Sequence, residues 1–176
     1  MLADLFDQEE IMADKTNFTP EEWKVALSSP MFAGLAVTLA EPSGIWGMLK
    51  ESMASARAML TAASDPNSSA LMKAIVADME TSQGRAIARD ELKADLTGKS
   101  PTGLKQEVIA KLKQAGQILD AKAPGVAPAF KIWLKAVSEQ VAEAASEGGM
   151  LGFGGTKVSD AEKATISEVA KALNVA

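Results

Sequence analysis

The feature that most limits what this chain can fold into is how often it signals the start of a helix. In "TPEEW", Thr19 is placed to accept a backbone N–H, Pro20 sits in a first turn where a missing N–H costs nothing, and Glu22 completes a capping box. "SPTG" repeats the pattern with Ser100 and Pro101, and "SDAE" places Ser159 and Glu162 as a second capping box. "SPMFAGLAVTLA" reads the same way, so Pro30 is expected to separate a short helix from a more buried one near 30–40. That second helix has one polar side chain, Thr38, and is apolar on every face, which suits the centre of a bundle. No window sustains the alternation of a strand.

Between these signals the helices follow from periodicity and turn residues. "EPSG" (41–44) is a turn, followed by an Ala-rich helix from about Trp46 to Ala63. "SDPNSS" (64–69) is the next turn, with a helix from about Ser69 to Glu80. The polar stretch 81–103 holds an exposed helix near 85–96, between Gly84 and Gly98. After Ser100 comes a stripe of Leu104, Val108, Leu112, Ala115 and Leu119, which runs up to "AKAPG". The next helix carries Phe130, Trp133, Val137, Val141 and Ala144 on one side, and the last ends near Leu173. The fold class is all-α, a single-domain bundle of about seven helices over 19–176. Residues 1–18 precede it as an acidic arm or a short helix through Leu2, Leu5 and Phe6.

Composition removes several chemistries. Aromatics are only 5% while Ala, Leu, Val and Met supply most of the 47% apolar share, which favours helix over a large sheet. The chain has no His and no Cys, so Ser–His–Asp and Cys–His systems and imidazole or thiolate metal sites are out of reach, as are disulfides. With a net charge of −5 and no basic stripe, nucleic acid is not an expected partner. The N-terminus lacks the pattern of a signal peptide, and no apolar run approaches the roughly 20 residues of a membrane span. The expectation is a cytoplasmic protein without integral membrane insertion.

One stretch departs from this helix grammar. "GGMLGFGG" (148–155) packs five glycines into eight residues, with Met150, Leu151 and Phe153 among them. Gly149 and Gly154 have phosphate-loop spacing, but Gly155, Thr156 and Lys157 follow in the wrong order and no strand precedes them. A hard cation is a better fit: Glu147, Asp160 and Glu162 are close in sequence and need no His or Cys to hold calcium or magnesium. Capping and the helix N-terminal field account for Glu162 and Asp160 equally well. A single glycine would close the preceding helix, so the surplus points to close approach by something else or to a loop that moves. "AEPSGIWG" (40–47) and "ASEGGMLG" (145–152) also share Ala, Gly, two apolar residues and Gly, which sets Trp46 opposite Leu151 in two related halves.

On these residues the chain resembles the TerB-like group of small acidic helical bacterial domains associated with tellurite resistance. The resemblance covers "AEAASEGGMLGFGGTKVSDAEKATISEVAKAL" (142–173), with Glu147-Gly148 at the family's acidic-Gly turn and Ser159-Asp160-Ala161-Glu162 opening the final helix. Residues 32–52 are the corresponding first half, with Pro42 and Ser43 intervening between Glu41 and Gly44, and "MLGFGG" is an insertion into the family's short turn. The resemblance implies about seven helices in two pseudo-repeated halves and a cytosolic stress-related or membrane-complex-associated binding module with no agreed catalytic chemistry.

Other candidates are fewer. Arg85 and Arg89 lie four apart on one helix face, where they can clamp an anion or make exposed ion pairs with Asp78, Asp90 or Glu91. Trp23, Trp46, Trp133 and the nine Met residues can line a pocket or fill a core. The carboxylate pairs Glu9/Glu10 and Glu21/Glu22 are adjacent and point apart, which suits no joint acid–base role. The sequence therefore points to a non-catalytic protein-interaction module. It would use Trp46, Gly149, Met150, Leu151, Gly152, Phe153 and Gly154 to hold a protein partner, another copy of itself included, and would need no cofactor. The alternatives are a calcium- or magnesium-sensing module around the same loop, and an apolar-ligand carrier or enzyme with a pocket between helices.

Overall fold

A helix that is apolar on all sides can only be stable when other helices surround it. In the computed structural model, which describes residues 13–40, 68–146 and 158–175, that stretch is the second half of α1 (Pro20–Thr38). The other described α-helices are α2 (Ala70–Glu80), α3 (Ser82–Leu96), α4 (Pro101–Lys122), α5 (Ala127–Ser146) and α6 (Asp160–Ala172), and α1 packs against every one of them. Ahead of α1 lies one 3₁₀ turn, Lys15–Asn17. Among the described residues there is no strand. The expected helix near 46–63 lies outside them.

Pro30 does not break the chain into two helices. It lies inside the continuous α1, where the sequence predicts a boundary. A proline within a helix leaves the carbonyl four residues earlier without its donor, here that of Ala26. The Ser29 hydroxyl donates to this carbonyl at 2.7 Å, in a position where both Ser29 and Ala26 are fully buried. Ser29 thus does the work of the lost N–H and is not an N-cap. Thr19 and Glu22 form the expected capping box at the true start, with bonds of 3.3 and 2.8 Å.

The stripe on α4 is buried as the spacing predicts, with Val108, Leu112, Ala115 and Leu119 inaccessible and Leu104 at the margin. On α5 the fully buried face is Phe130, Leu134, Val137 and Val141, while Trp133 is half-buried and meets Phe130 edge-on at 5.0 Å. Lys122 in the last turn of α4 pairs with Glu22 in the first turn of α1 at 3.3 Å, so these two helices run in opposite directions. By contrast α5 runs parallel to α1. Ser138 donates to the Ala33 carbonyl at 2.9 Å, and one turn further along both helices Val37 packs with Val141 and Ala142.

Helix α3 starts earlier than the sequence suggests, because Thr81 both ends α2 and caps α3. Its backbone N–H and its hydroxyl donate to the Asp78 carbonyl, and its hydroxyl accepts from Gly84 N–H. Gly84 therefore lies inside α3 and not at its edge. A Cβ there would collide with the Asp78 carbonyl oxygen. The helix is also less exposed than predicted, since Ala88 is buried and Ile87 and Leu92 pack on the core. At the other end of the chain, Asn174 takes a positive φ of 54°, and Val175 and Asn174 N–H groups close α6 on the Ala170 and Lys171 carbonyls. This is the Schellman arrangement, with Asn in the place usually held by Gly.

These contacts set two stability contrasts. Ser29→Ala should cost about 1–3 kcal/mol in the native background, since it orphans a buried carbonyl. In a Pro30→Ala background, where residue 30 regains its N–H, the same change should cost distinctly less, and a double-mutant cycle by urea denaturation measures that coupling. Gly84→Ala should be severely destabilising, whereas Gly116→Ala should stabilise by about 0.5–1 kcal/mol. The nearest atoms to a Cβ at Gly116 lie at ordinary contact distances of 3.6–3.8 Å, and thermal melts of the two variants check the contrast.

Candidate functional site

The described residues that precede the two segments singled out from the sequence lie at one end of the bundle. Because α1 and α5 are parallel, Thr38 and Ser146 close them at the same end, where Val37, Val141 and Ala142 form a small buried cluster flanked by Val158 and Ile166. Helix α6 begins at this end too, at Ser159. The candidate residues Trp46, Gly149, Met150, Leu151, Gly152, Phe153 and Gly154, and the candidate ligand Glu147, lie outside the described residues. Their connection to the fold is through Ala40, Ser146 and Val158.

Of the other candidate cation ligands, Glu162 is buried and its carboxylate accepts from Ser159 N–H at 2.8 Å, while its own N–H donates to Ser159 Oγ at 3.1 Å. The capping box therefore occupies it. Asp160 is fully exposed and holds Lys163 at 3.2 Å. Among the described residues, no group of three or more carboxylates is gathered as a cation site would require.

Arg85 and Arg89 do share an exposed face of α3, but they have different surroundings. Arg85 donates from Nη1 to the carbonyls of Met79 and Glu80, at 3.3 and 2.6 Å, and so caps the C-terminus of α2. Arg89 pairs with its neighbour Asp90 at 3.5 Å. The other expected partners are engaged elsewhere. Glu91 holds Lys111 at 3.1 Å, and Asp78 accepts from both Lys15 Nζ (2.7 Å) and Trp23 Nε1 (2.8 Å).

Asp78 is the polar centre of that corner, and sequence reading offered it only as an arginine partner. Lys15 lies over the Trp23 ring, 5.5 Å from its centroid, and Phe18 packs against the same ring at 5.7 Å. Burial opposes ionisation of Asp78, but hydrogen bonds from Lys15 and Trp23, with the Lys15 charge, outweigh it and hold the carboxyl below its ordinary value. Trp23 is thereby a core residue with a satisfied indole. The indole N–H of Trp133 is buried and has no acceptor among the described residues.

Comparison with protein-family models, with curated proteins and with solved structures finds no match. No helix among the described residues is long and apolar enough to cross a membrane.

The carboxyls of Glu22 and Glu107 are lowered as well, the first through the Thr19 N–H and the second through Lys99. A carboxyl with a native value below its unfolded one adds stability above the unfolded value and loses it as pH falls towards the native one. The urea midpoint should therefore drop as pH is taken from about 5 to 3. In Asp78→Asn, which keeps an acceptor for Trp23 but no charge, that drop should be shallower.

Proposed function

We propose that the protein is a non-catalytic interaction module whose binding face is the end of the bundle where α1 and α5 terminate. The observation that carries this reading is the parallel pairing of those helices, through Ser138 on the Ala33 carbonyl and Val37 on Val141 and Ala142. It starts the Trp46 segment and the glycine-rich segment 148–155 from adjacent points, so that one partner can engage both. Interleaved apolar residues, Met150, Leu151 and Phe153, supply contact area, and the surplus glycines allow close backbone approach. Two related halves, as in TerB-like domains, would produce such a pair of parallel helices, each leading into a glycine-containing turn. The proposed setting is cytoplasmic, and the partner is another protein or a second copy.

Affinity capture from lysate, with the melting curve of each variant as a folding control, tests this. Changing Met150, Leu151 and Phe153 to Ser should remove a captured partner while the melting temperature stays the same, and Trp46→Ser should weaken capture. Retention of every partner by both variants would overturn the reading. Calorimetry with calcium, magnesium and manganese separates it from cation sensing, which requires a binding heat that Asp160→Asn abolishes.

A further inference from the structure

Most cations of the described surface are neutralised within the chain: Lys15 by Asp78, Lys105 by Glu168, Lys111 by Glu91 and Lys135 by Glu139, at 2.7–3.1 Å. One row on α3 brings three exposed cations together. Arg85, Arg89 and Lys93 follow each other at four-residue spacing along the exposed face of α3. Arg85 is held in place by the two helix-end carbonyls and meets no carboxylate within ion-pairing distance among the described residues. Arg89 has its immediate neighbour Asp90, in a pair whose side chains are 72% and 71% exposed. Lys93, exposed as well, makes no ion pair among the described residues.

From this row we propose a second docking surface, which takes an extended acidic peptide segment of a partner protein. The spacing selects the ligand. Three cations at four-residue steps cover about 12 Å of helix, at 1.5 Å per residue. Carboxylates at alternate positions of an extended chain recur every ~6.6 Å, close to the ~6 Å between successive cations of the row. A single phosphate meets one or two positions and leaves the rest unused. A flat anionic membrane would also press on Asp90, which is exposed beside the row on the same helix, whereas a single extended strand can follow the row without covering it. Each contact is exposed and individually weak, so binding depends on all three together and falls with added salt. The surface is independent of the α1–α5 end.

Fluorescence anisotropy of the full chain with a labelled peptide alternating Glu and Ser tests it at low ionic strength. Saturable binding is expected, weakened at least about tenfold by Arg89→Glu with Lys93→Glu. Lys113→Glu with Lys171→Glu changes the net charge equally at exposed positions on α4 and α6 and should leave most of the affinity. Should the first pair unfold, Arg89→Gln with Lys93→Gln should show a smaller loss in the same direction. Equal loss in both charge-reversed pairs would reduce the effect to net charge and overturn the proposal. So would no binding of the peptide, or preferential binding of inorganic phosphate or of phosphatidylserine vesicles.

Discussion

The fold depends on the burial of the middle of α1, where residues 25–30 are all buried. A helix touched by five others cannot leave a backbone group to water, so the carbonyl that Pro30 deprives of its donor must be satisfied inside the protein. Ser29 meets that need from one residue away, and Ser138 adds a donor to the Ala33 carbonyl from α5. The small residues Ala26, Ala33, Gly34 and Ala36 leave room for helices to approach closely on several sides. Large side chains are kept for the spaces between the helices, where Leu27 and Phe32 of α1 meet Leu112, Phe130 and Leu134 in one cluster.

The two ends of this central helix are built differently. Around its start the structure is closed by polar bonds: the Thr19–Glu22 box, Lys122 on Glu22, and the Asp78 carboxylate gripping Lys15 and Trp23. The α2–α3 corner beside it leaves no room for a Cβ at Gly84 and ties down Arg85. Around the other end the helices close on a small apolar cluster. A polar, heavily bonded end suits a rigid frame.

Much of the helical layout was legible because its signals are local. Thr19, Ser100 and Ser159 cap helices where the sequence places them, since a capping bond reaches only two or three residues along the chain. The α4 stripe was equally legible, because burial of one face repeats at the helical period. The failures share a cause. Ser29-Pro30 has the same local grammar as Ser100-Pro101, yet one lies mid-helix and the other at a start. What separates them is whether the preceding turn is held helical by surrounding packing, which no short window contains. On α5, Trp133 and Leu134 both fit the apolar period, and only the position of the neighbouring helices decides which is fully buried.

The candidate site divides in the same way. The sequence by itself singled out the glycine-rich run, and it excluded chemistry that needs His or Cys, because residue identity alone settles those points. It also contained both readings of Glu162, as ligand and as cap, and the bonds to Ser159 show the capping role. The tertiary structure alone decided that α1 and α5 run parallel and end together, that Asp78 joins residues 15 and 23, and that Arg85 serves a helix end. These are contacts between residues distant in sequence or across a turn. Their existence depends on how the helices pack, and helix packing is set by the whole buried surface and not by any one segment.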